Sequence, residues 1–419
     1  MQIIADLHLH SKYARATSKD MEISKLAEYA KIKGLNLLGT GDFTFPKQLN
    51  DIKSKLVAIE DTGLYVYDDV FFMLTTEMAT FYFENKKSRR VHHLVHAPDL
   101  ETVDQIIDVL TKRGANTGID GRLMIKISSS ELVEVLKEIN KDIQIVPAHI
   151  WTPYFGCLGS ATGFDSVNEC YKDMTRHIYA VETGLSSDPM MNWRLSSLDN
   201  FALMSNSDSH SPWPWRLGRE ANVFELEKPS YWELWDVVKK KDNTKFLYTI
   251  EVDPNYGKYH YTGHRECKVV LSPKEALKLK NICPVCRKRL TIGVLQRVEE
   301  LADREEGFLP KNVIPFKSLL PLYEIISFVF NKKNPNSKKI LEEQNKLIKQ
   351  FGNELNVIIN AGFDELIKFT DEKIAKAIID VREGRIKYAP GYDGVYGEPI
   401  FDEKEIIKKL PQKNLFDYN

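Results

Sequence analysis

The sequence opens on the stretch IADLHLHS at residues 4–11, where an apolar run gives way to two histidines separated by one residue. Apolar residues in this pattern predict a β-strand, and side chains two positions apart on a strand point to the same side. His8 and His10 therefore share one face at the end of an N-terminal strand. Imidazole pairs in this arrangement indicate a metal site if further ligands converge on them.

Outward from this strand, the first 225 residues alternate between strand-like and helix-like segments. Residues 18–34 have the periodicity of a helix, with Ser18 or Asp20 as its N-cap and Gly34 just past its end. Residues 35–42 then read as the next strand. Such alternation predicts an α/β fold in which helices cover a mainly parallel sheet, either closed into a barrel or open.

Further histidines and acidic residues follow the predicted strands, each after a run of apolar or small residues. In β/α barrels the strand ends and their loops converge on one mouth, which carries the site. Imidazoles and carboxylates together suit zinc, manganese or iron. Glu182 also ends a strand and is interpreted as a structural carboxylate or, less favourably, a ligand. The candidate ligands are His8, His10, Asp42, Glu77, His92, His93, His96, His149, Asp208 and His210.

The totals describe an ordinary protein of 419 residues, with 43% hydrophobic and 28% charged residues. The sequence has no run of 18 apolar residues and no signal segment, and its five cysteines form no disulfide framework. These features predict a cytoplasmic protein without a membrane span. The net charge of the chain is -1, but residues 257–297 contain ten Lys and Arg and only two acidic residues. That basic segment predicts a polyanionic partner, the alternative being a solvated lysine-rich surface.

The same basic segment contains a second set of metal ligands. His264 and Cys267 are separated by two residues, as are Cys283 and Cys286, and fifteen residues lie between the two pairs. The spacing is typical of a zinc ribbon and predicts a structural zinc with four protein ligands. The alternatives are a pair of reactive thiols, or His260 in place of His264. Cys157 and Cys170 fit no motif and are expected to be buried small residues.

These features divide the chain into three predicted parts. Residues 1–225 form the metal-binding α/β domain, and residues 226–297 form a connecting helix and the basic zinc-binding module. Residues 298–419 are rich in Leu, Ile and Lys and predict a helical domain, with a small hairpin at 390–399.

The motifs DLHLHS, GTGD, Glu77, RVHHLV, PAH and NSDSH, in this order, resemble the polymerase-and-histidinol-phosphatase (PHP) superfamily over about residues 1–225. The whole chain resembles a narrower family within it, the archaeal endonuclease Q enzymes. The resemblance implies a distorted β/α barrel with a two- or three-metal phosphoesterase site, joined to a zinc module and a helical domain. It also implies a DNA-repair enzyme that cuts on the 5′ side of uracil, hypoxanthine, xanthine and abasic sites.

The resemblance also assigns roles to individual residues. Glu77 is the bridging acid, and His92 is preferred as a ligand because His93 faces away by strand alternation. Arg15 stands in a stretch where many relatives supply a further ligand, and we expect it to hold the phosphate. The implied metal ligands are His8, His10, Asp42, Glu77, His92, His149, Asp208 and His210, and the implied catalytic residues are Glu77, Asp208, His149 and Arg15.

A long glycine-rich loop, residues 149–171, leaves one of the metal-ligand strands. Trp151, Tyr154 and Phe155 are predicted to stack on an extruded base, and Asn168 to read its keto edge. The alternative is that these aromatic side chains pack the loop onto the barrel. Trp213 and Trp215, after the last metal motif, are predicted to wall the cleft, with the same alternative.

The leading hypothesis is a metal-dependent, lesion-specific DNA endonuclease. It uses two or three divalent metals (zinc, or Mg or Mn) and one structural zinc, and its partners are damaged DNA and other replication or repair proteins. One alternative is a small-molecule phosphatase of the histidinol-phosphate type, although such an enzyme needs neither the zinc module nor the helical extension. Another is a DNA-binding protein that keeps the barrel only as a scaffold, against which the near-complete ligand set argues.

Overall fold

The computed structural model describes residues 1–331 and 337–401 of the chain. The strands of these residues are β1 Gln2–Asp6, β2 Leu37–Gly39, β3 Val57–Ile59, β4 Leu64–Tyr67, β5 Val70–Glu84, β6 Lys87–Ala97, β7 Leu123–Ile125, β8 Gln144–Pro147, β9 Ala180–Glu182, β10 Ala202–Met204, β11 Ala221–Glu225, β12 Phe246–Glu251, β13 Thr262–His264, β14 Val269–Leu271, β15 Phe316–Ser318, β16 Lys387–Ala389 and β17 Glu398–Ile400.

The α-helices of the same residues are α1 Ile23–Lys33, α2 Pro46–Lys55, α3 Leu100–Lys112, α4 Ser129–Ile139, α5 Val167–Tyr171, α6 Pro189–Asn192, α7 Tyr231–Lys240, α8 Pro273–Lys278, α9 Val294–Leu301, α10 Leu322–Val329, α11 Lys338–Phe351, α12 Phe363–Leu366 and α13 Glu372–Arg382. None of these described helices has the length and apolar character needed to cross a bilayer.

The strands of the first half form a closed but distorted ring. In this ring β1 pairs with β2 and β2 with β5 in parallel, whereas β5 pairs with β6 and β6 with β8 antiparallel. The parallel pair β9 and β10 completes it through single bridges, Ile145 to Ile178 on one side and Leu9 to Ser209 on the other. The predicted α/β class with a distorted barrel is confirmed, and the bridge at Leu9 brings the first histidine motif beside the last metal motif.

The expectation of a mainly parallel sheet is wrong for its longest pair. β5 and β6 form one antiparallel hairpin that runs from the barrel into solvent, with Glu84 paired to Lys87 at its tip. The two turn residues, Asn85 and Lys86, have φ angles of 50° and 63°. Two consecutive left-handed residues make the tight turn whose twist matches an antiparallel hairpin, so the chain reverses here without a crossover helix.

The sheet also continues beyond the first predicted part. β11 pairs antiparallel with β1, β12 pairs antiparallel with β11, and β15 pairs parallel with β12. The boundary predicted at residue 225 therefore lies inside the sheet, because two later strands, one of them from the predicted helical part, extend its edge. Between β11 and β12, α7 begins after Ser230, whose side chain accepts a hydrogen bond from the Glu233 amide.

The zinc-binding module is small. β13 and β14 form a short antiparallel pair, followed by α8 and the cysteine turn at 283–286. Its own apolar cluster contains only five buried residues, one of which is Cys283. So small a core gives little stability without a crosslink or a metal.

The described C-terminal residues are helical from α10 to α13, which confirms the predicted helical C-terminal region for them, and they end in the antiparallel pair β16 and β17. Residues 402–419 of that predicted part lie outside the described residues. The hairpin packs on the zinc module: Asp393 accepts hydrogen bonds from the Arg265 amide at 2.7 Å and the Thr291 hydroxyl at 2.6 Å. The last described segment thereby returns to the barrel mouth, where Tyr396 lines a cavity.

The predicted end of α1 is confirmed, but its predicted start is wrong. Gly34 follows the helix with φ 102°, a left-handed conformation that glycine adopts without a Cβ clash. The N-cap is Glu22, not Ser18 or Asp20, and it makes no side-chain capping bond. Ser18 and Asp20 instead hydrogen-bond to each other in the preceding turn.

Candidate metal centre

One buried carboxylate, Glu77 on β5, lies at the middle of the barrel mouth. Its Oε1 is 2.5 Å from His92 Nδ1, 3.2 Å from His149 Nε2 and 3.6 Å from His8 Nε2. Its Oε2 is 3.7 Å from His10 Nε2. A single carboxylate that faces four imidazoles has the position of a bridging ligand.

Strand alternation explains which histidines reach this carboxylate. On the β5–β6 hairpin, His92 lies on the same face as Glu77, whereas His93 points to the other face. His93 is buried there between the Thr80 hydroxyl at 3.0 Å and the Tyr171 hydroxyl at 2.8 Å. His96 is also buried away from the mouth, against the ring of Trp235. Of the three histidines on β6, the structure thus brings only His92 to the site.

The potential ligand atoms fall into three adjoining groups at the mouth, and within each group they lie within 4.8 Å of one another. His10 belongs to two of these groups and Glu77 also to two, so the groups adjoin through shared ligands. This arrangement is compatible with a cluster of divalent metals. The groups are His8, His10 and Glu77; His10, Asp208 and His210; and Glu77, His92 and His149.

The environment of His8 tests whether these residues fit a metal. Its Nδ1 lies 3.0 Å from both carboxylate oxygens of Glu182, which fixes the ring orientation. Its Nε2 is buried and has no hydrogen-bond partner among the described residues. Buried ring nitrogens are normally paired, and a carboxylate behind a histidine is the usual support of a metal ligand. The residues therefore fit a divalent metal on the Nε2 side.

Glu182 holds candidate ligand residues in place through hydrogen bonds. Besides His8, it accepts the backbone amide of His149 at 2.7 Å and the side-chain amide of Asn206 at 2.9 Å. These contacts use both of its oxygens and join three ligand-bearing segments. The interpretation of Glu182 as a structural carboxylate agrees with this geometry.

Asp42 lies behind His10 rather than among the potential ligand atoms. Its Oδ1 is 3.2 Å from His10 Nδ1, and its Oδ2 accepts the amide and the hydroxyl of Ser11 at 2.6 and 2.7 Å. A carboxylate with both oxygens committed in this way orients the imidazole. Asp42 therefore belongs to none of the groups of potential ligand atoms among the described residues, and its ligand role stays a prediction.

Besides Asp42, which has φ 47°, two further candidate ligands occupy unusual backbone conformations. His149 has φ 29° and Asp208 has φ 47°, both in the left-handed region that side chains other than glycine rarely adopt. Asp208 Oδ1 is thereby placed 3.0 Å from His10 Nε2. Such strain is typical of functional sites, where the surrounding structure holds a residue in place for its chemistry.

The acidic and basic groups of the cluster stabilise one another in their charged forms. Burial lowers the pKa of His8, but the carboxylates of Glu182 and Asp208 outweigh burial and raise it to about 9. Burial raises the pKa of Glu77, but the surrounding imidazoles hold it well below its usual range. Glu77 is therefore ionised at neutral pH, as a bridging ligand must be.

A cavity of about 670 Å³ opens beside the cluster. Ligand residues form one wall, and the far wall carries cations and aromatic rings that the sequence analysis did not single out. Arg216 follows the NSDSH motif by six residues, a local signal that could have found it. The far-wall residues include Arg216, Arg219, Lys258, Tyr259 and Tyr396.

The zinc module brings together the four residues that its spacing predicts. Ligand atoms of His264, Cys267, Cys283 and Cys286 lie within 4.8 Å of one another. His260, the alternative to His264, is buried elsewhere with its Nδ1 3.1 Å from the Ser186 carbonyl oxygen. The cluster is thus compatible with a structural metal, and His264 rather than His260 belongs to it.

Comparison with known proteins gives matches along the whole chain. The lesion-specific endonuclease PfuEndoQ from Pyrococcus furiosus superposes with a TM-score of 0.86 at 33% identity, over 100% of this chain and 98% of its own. An endonuclease Q complexed with a 27-mer duplex that carries an abasic lesion at the active site superposes with a TM-score of 0.87 at 33% identity. The superposition covers 99% of this chain and 100% of that one.

The chain belongs to the endonuclease Q family. In addition, residues 321–385 match the family described as the MJ0043 C-terminal domain. Protein MJ0043 of Methanocaldococcus jannaschii is 35% identical over 58% of this chain, a match that spans only 30% of MJ0043. Protein YqxK of Bacillus subtilis is 28% identical over 95% of this chain and 99% of its own length. The family confirms the predicted resemblance and the predicted enzyme class, an endonuclease.

The structure corrects part of the predicted lesion pocket of this family member. Trp151 is 1% exposed and donates through Nε1 to Asn192 at 2.8 Å, so it packs in the core and is not free to stack on a base. Asn168 is exposed on α5 and does not line the cavity. Tyr154 and Phe155 do line it, and the Phe155 ring lies 4.4 Å from that of His92.

The structure places the residues of two further predictions outside the lining of the cavity. Arg15 is exposed outside the cavity, and its backbone amide bonds to Asp120 at 3.1 Å; the next residue, Ala16, lines the cavity instead. The rings of Trp213 and Trp215 stack on each other with 5.8 Å between their centroids. The ring of Trp215 also packs against Tyr323 of α10, with 4.5 Å between the centroids. The tryptophans therefore join the barrel to the helical domain instead of walling the cleft.

Proposed function

We propose that the protein is a metal-dependent DNA endonuclease that hydrolyses the phosphodiester bond on the 5′ side of deaminated bases and abasic sites. The observation that carries the proposal is the Glu77-centred cluster, with its shared ligands and its unpaired His8 Nε2, opening onto a cavity large enough for a nucleotide. The endonuclease Q of known structure that holds an abasic duplex at its active site supports the same substrate class.

The metal-binding residues would be His8, His10, Glu77, His92, His149, Asp208 and His210. Divalent metals held there would activate water at neutral pH and neutralise charge on the scissile phosphate. Around them, Glu182 holds His8 and the His149 backbone, while Asp42 holds His10. These carboxylates keep the imidazoles in one orientation before substrate arrives, which lowers the reorganisation needed for reaction.

Lesion choice requires that the base leave the double helix, because an enzyme cannot read a base in a pocket while the base is stacked inside the duplex. Tyr154 and Phe155 are the residues of the predicted loop that still face the cavity, and Tyr154 is 53% exposed. Trp151 gives the loop a rigid base beneath them. We assign Tyr154 the stacking role that the sequence analysis gave to the loop as a whole.

Replacing Tyr154 by alanine should lower cleavage of uracil and hypoxanthine duplexes by roughly tenfold, since stacking of a base on an aromatic ring contributes about 1–3 kcal/mol. Cleavage at an abasic site should change much less, because that site has no base to stack. Single-turnover rates on the three duplexes measure the difference. Asn168→Ala, in the same loop but outside the cavity, is the matched control and should leave all three rates unchanged. Equal losses on all three duplexes in Tyr154→Ala would place base recognition elsewhere.

A substrate panel tests the proposed function itself. The wild-type protein should nick duplexes with uracil, hypoxanthine, xanthine or an abasic site, and leave undamaged duplex and a small phosphomonoester such as histidinol phosphate intact. A chelator should abolish nicking, and an added divalent metal should restore it. Turnover of the phosphomonoester without nicking would favour the phosphatase alternative, and DNA binding without either reaction would favour the scaffold alternative.

A further inference from the structure

The far wall of the cavity is assembled from segments that are distant in sequence. Arg216 and Arg219 follow the last metal motif, Lys258 lies between β12 and β13, and Tyr396 comes from the terminal hairpin. All four line the same cavity as His149 and Asp208. Cations are thus gathered directly beside the metal centre.

Arg219 leaves one donor unused. It is 5% exposed, and its Nε and Nη2 both donate to the Ser207 carbonyl oxygen, at 3.3 and 3.0 Å. Its Nη1 is buried without a hydrogen-bond partner among the described residues. Because arginine stays protonated, this buried guanidinium contributes a positive charge beside the cavity, where it attracts an anion.

Lys258 carries an uncompensated charge. Its ammonium lies 5.8 Å from the ring centroid of Tyr396 and forms no ion pair with any described residue. Burial raises the pKa of the Tyr396 phenol, but the surrounding cations lower it overall. The two carboxylates at the cavity, Glu182 and Asp208, already face histidines. The far wall therefore presents net positive charge.

Arg216 is held from the helical domain. Its Nη1 donates to Glu324 Oε1 at 2.8 Å, and the Tyr256 hydroxyl donates to Glu324 Oε2 at 2.6 Å. Glu324 is the third residue of α10, where the family match to residues 321–385 begins. These contacts engage only Nη1, so Nε and Nη2 of Arg216 have no hydrogen-bond partner among the described residues, and Arg216 lines the cavity.

A second ionic contact fixes the same segment. Lys33 and Glu354 form a buried pair at 2.6 Å, and the Lys33 ammonium also donates to the Pro214 carbonyl oxygen at 2.8 Å. Glu354 further accepts the Leu322 amide at the start of α10. Contacts with the helical domain therefore fix Pro214 and Arg216, the residues on either side of Trp215. This segment follows the last metal motif in the sequence.

We propose that Arg216, Arg219 and Lys258 form a subsite for a backbone phosphate of the nucleic-acid substrate, and that Glu324 of the helical domain is the positioning residue for Arg216. The inference rests on the proposed function, which supplies DNA as the occupant. Guanidinium groups match phosphate geometry, and the buried charge of Arg219 adds to the positive potential that a phosphate meets in this cavity. The subsite adjoins the metal centre, where the phosphate that is cut would lie. Its occupant is therefore a neighbouring phosphate of the same DNA backbone.

Binding of fluorescently labelled uracil and abasic duplexes to the full chain tests the subsite. Lys258→Ala and Arg216→Ala should each raise Kd roughly tenfold, as expected when a hydrogen bond to a charged group is lost. The slope of log K against log salt should fall by about one unit, and equally for both duplexes, because a phosphate contact carries no base information. Arg113→Ala, an exposed arginine paired with Glu131 on the outer helices, is the control and should change neither quantity.

The positioning role is tested by Glu324→Gln. This variant should raise KM with kcat nearly unchanged in the wild-type background, and should have no further effect on KM when combined with Arg216→Ala. Arg216→Lys should recover part of the affinity. Glu343→Gln, on α11 and paired with Lys346, controls for general weakening of the helical domain. A KM effect of Glu324→Gln that persists without Arg216 would overturn the positioning role.

The outcomes separate this subsite from the proposed function. If the wild type nicks lesions but the subsite variants match Arg113→Ala in Kd and salt slope, the subsite is wrong and the function stands. Losses confined to the uracil duplex would mean that these cations read the base, which also overturns the phosphate assignment. If the wild type binds duplex with the predicted variant effects but never nicks, the subsite stands and the function fails.

Discussion

Glu77→Gln should reduce nicking of a uracil duplex by roughly a thousandfold or more, on the scale seen when a group that acts at the reacting centre is removed. Glutamine keeps the size of the side chain but removes the charge that faces four imidazoles. Active-site metal content should fall with activity, because adjoining ligand groups share this one carboxylate. Affinity for the duplex should change little, since the cations of the far wall remain.

The control for this variant is Glu84→Gln on the same strand. Glu84 lies near the hairpin tip, where it pairs with Lys172 at 2.6 Å, far along β5 from the metal centre. Single-turnover nicking, metal content and the thermal midpoint are measured for both variants. Full nicking by a folded Glu77→Gln protein would contradict the bridging role.

Cys283→Ser should remove one equivalent of zinc per chain and destabilise the module. Cys283 is fully buried and belongs to a cluster of only five buried residues, so we expect the module to depend on a bound metal for its stability. The terminal hairpin rests on this module through Asp393, and it carries Tyr396 to the cavity. Affinity for DNA should therefore weaken more than the chemical step measured at saturating enzyme.

Cys157→Ala is the matched control, because Cys157 is buried in the barrel loop and belongs to no ligand group. Its zinc content should equal that of the wild type. Element analysis gives the stoichiometry, and limited proteolysis of residues 257–297 reports on the fold of the module. Unchanged zinc in Cys283→Ser would refute the ligand assignment.

The parts of the site that could be predicted from sequence are those whose geometry depends on residues close together in the chain. Residues two apart on a strand share a face, which placed His8 with His10 and separated His92 from His93. The fixed spacing of the cysteines likewise identified the cluster of His264, Cys267, Cys283 and Cys286. The long β5–β6 hairpin was not predicted because its signal is the backbone conformation of Asn85 and Lys86, and neither residue is the glycine that usually marks such a turn.

What sequence reasoning missed depends on contacts between distant segments. Asp42 has the right residue type for a ligand, but Ser11 and His10 engage both of its oxygens. Trp151 resembles a stacking residue until Asn192, 41 positions away, is seen to bond its indole. Lys258 and Tyr396 reach the cavity only because the zinc module and the hairpin fold back over the barrel, which no local pattern encodes.

The most direct measurement is the position of the cut. A duplex with a single uracil, labelled at the 5′ end of the damaged strand, is incubated with the wild-type protein alone, with chelator, and with chelator followed by excess divalent metal. The account predicts a single product ending immediately 5′ of the uracil, absent with chelator and restored by metal. A cut at another position, nicking of the undamaged strand, or nicking that survives the chelator would contradict it.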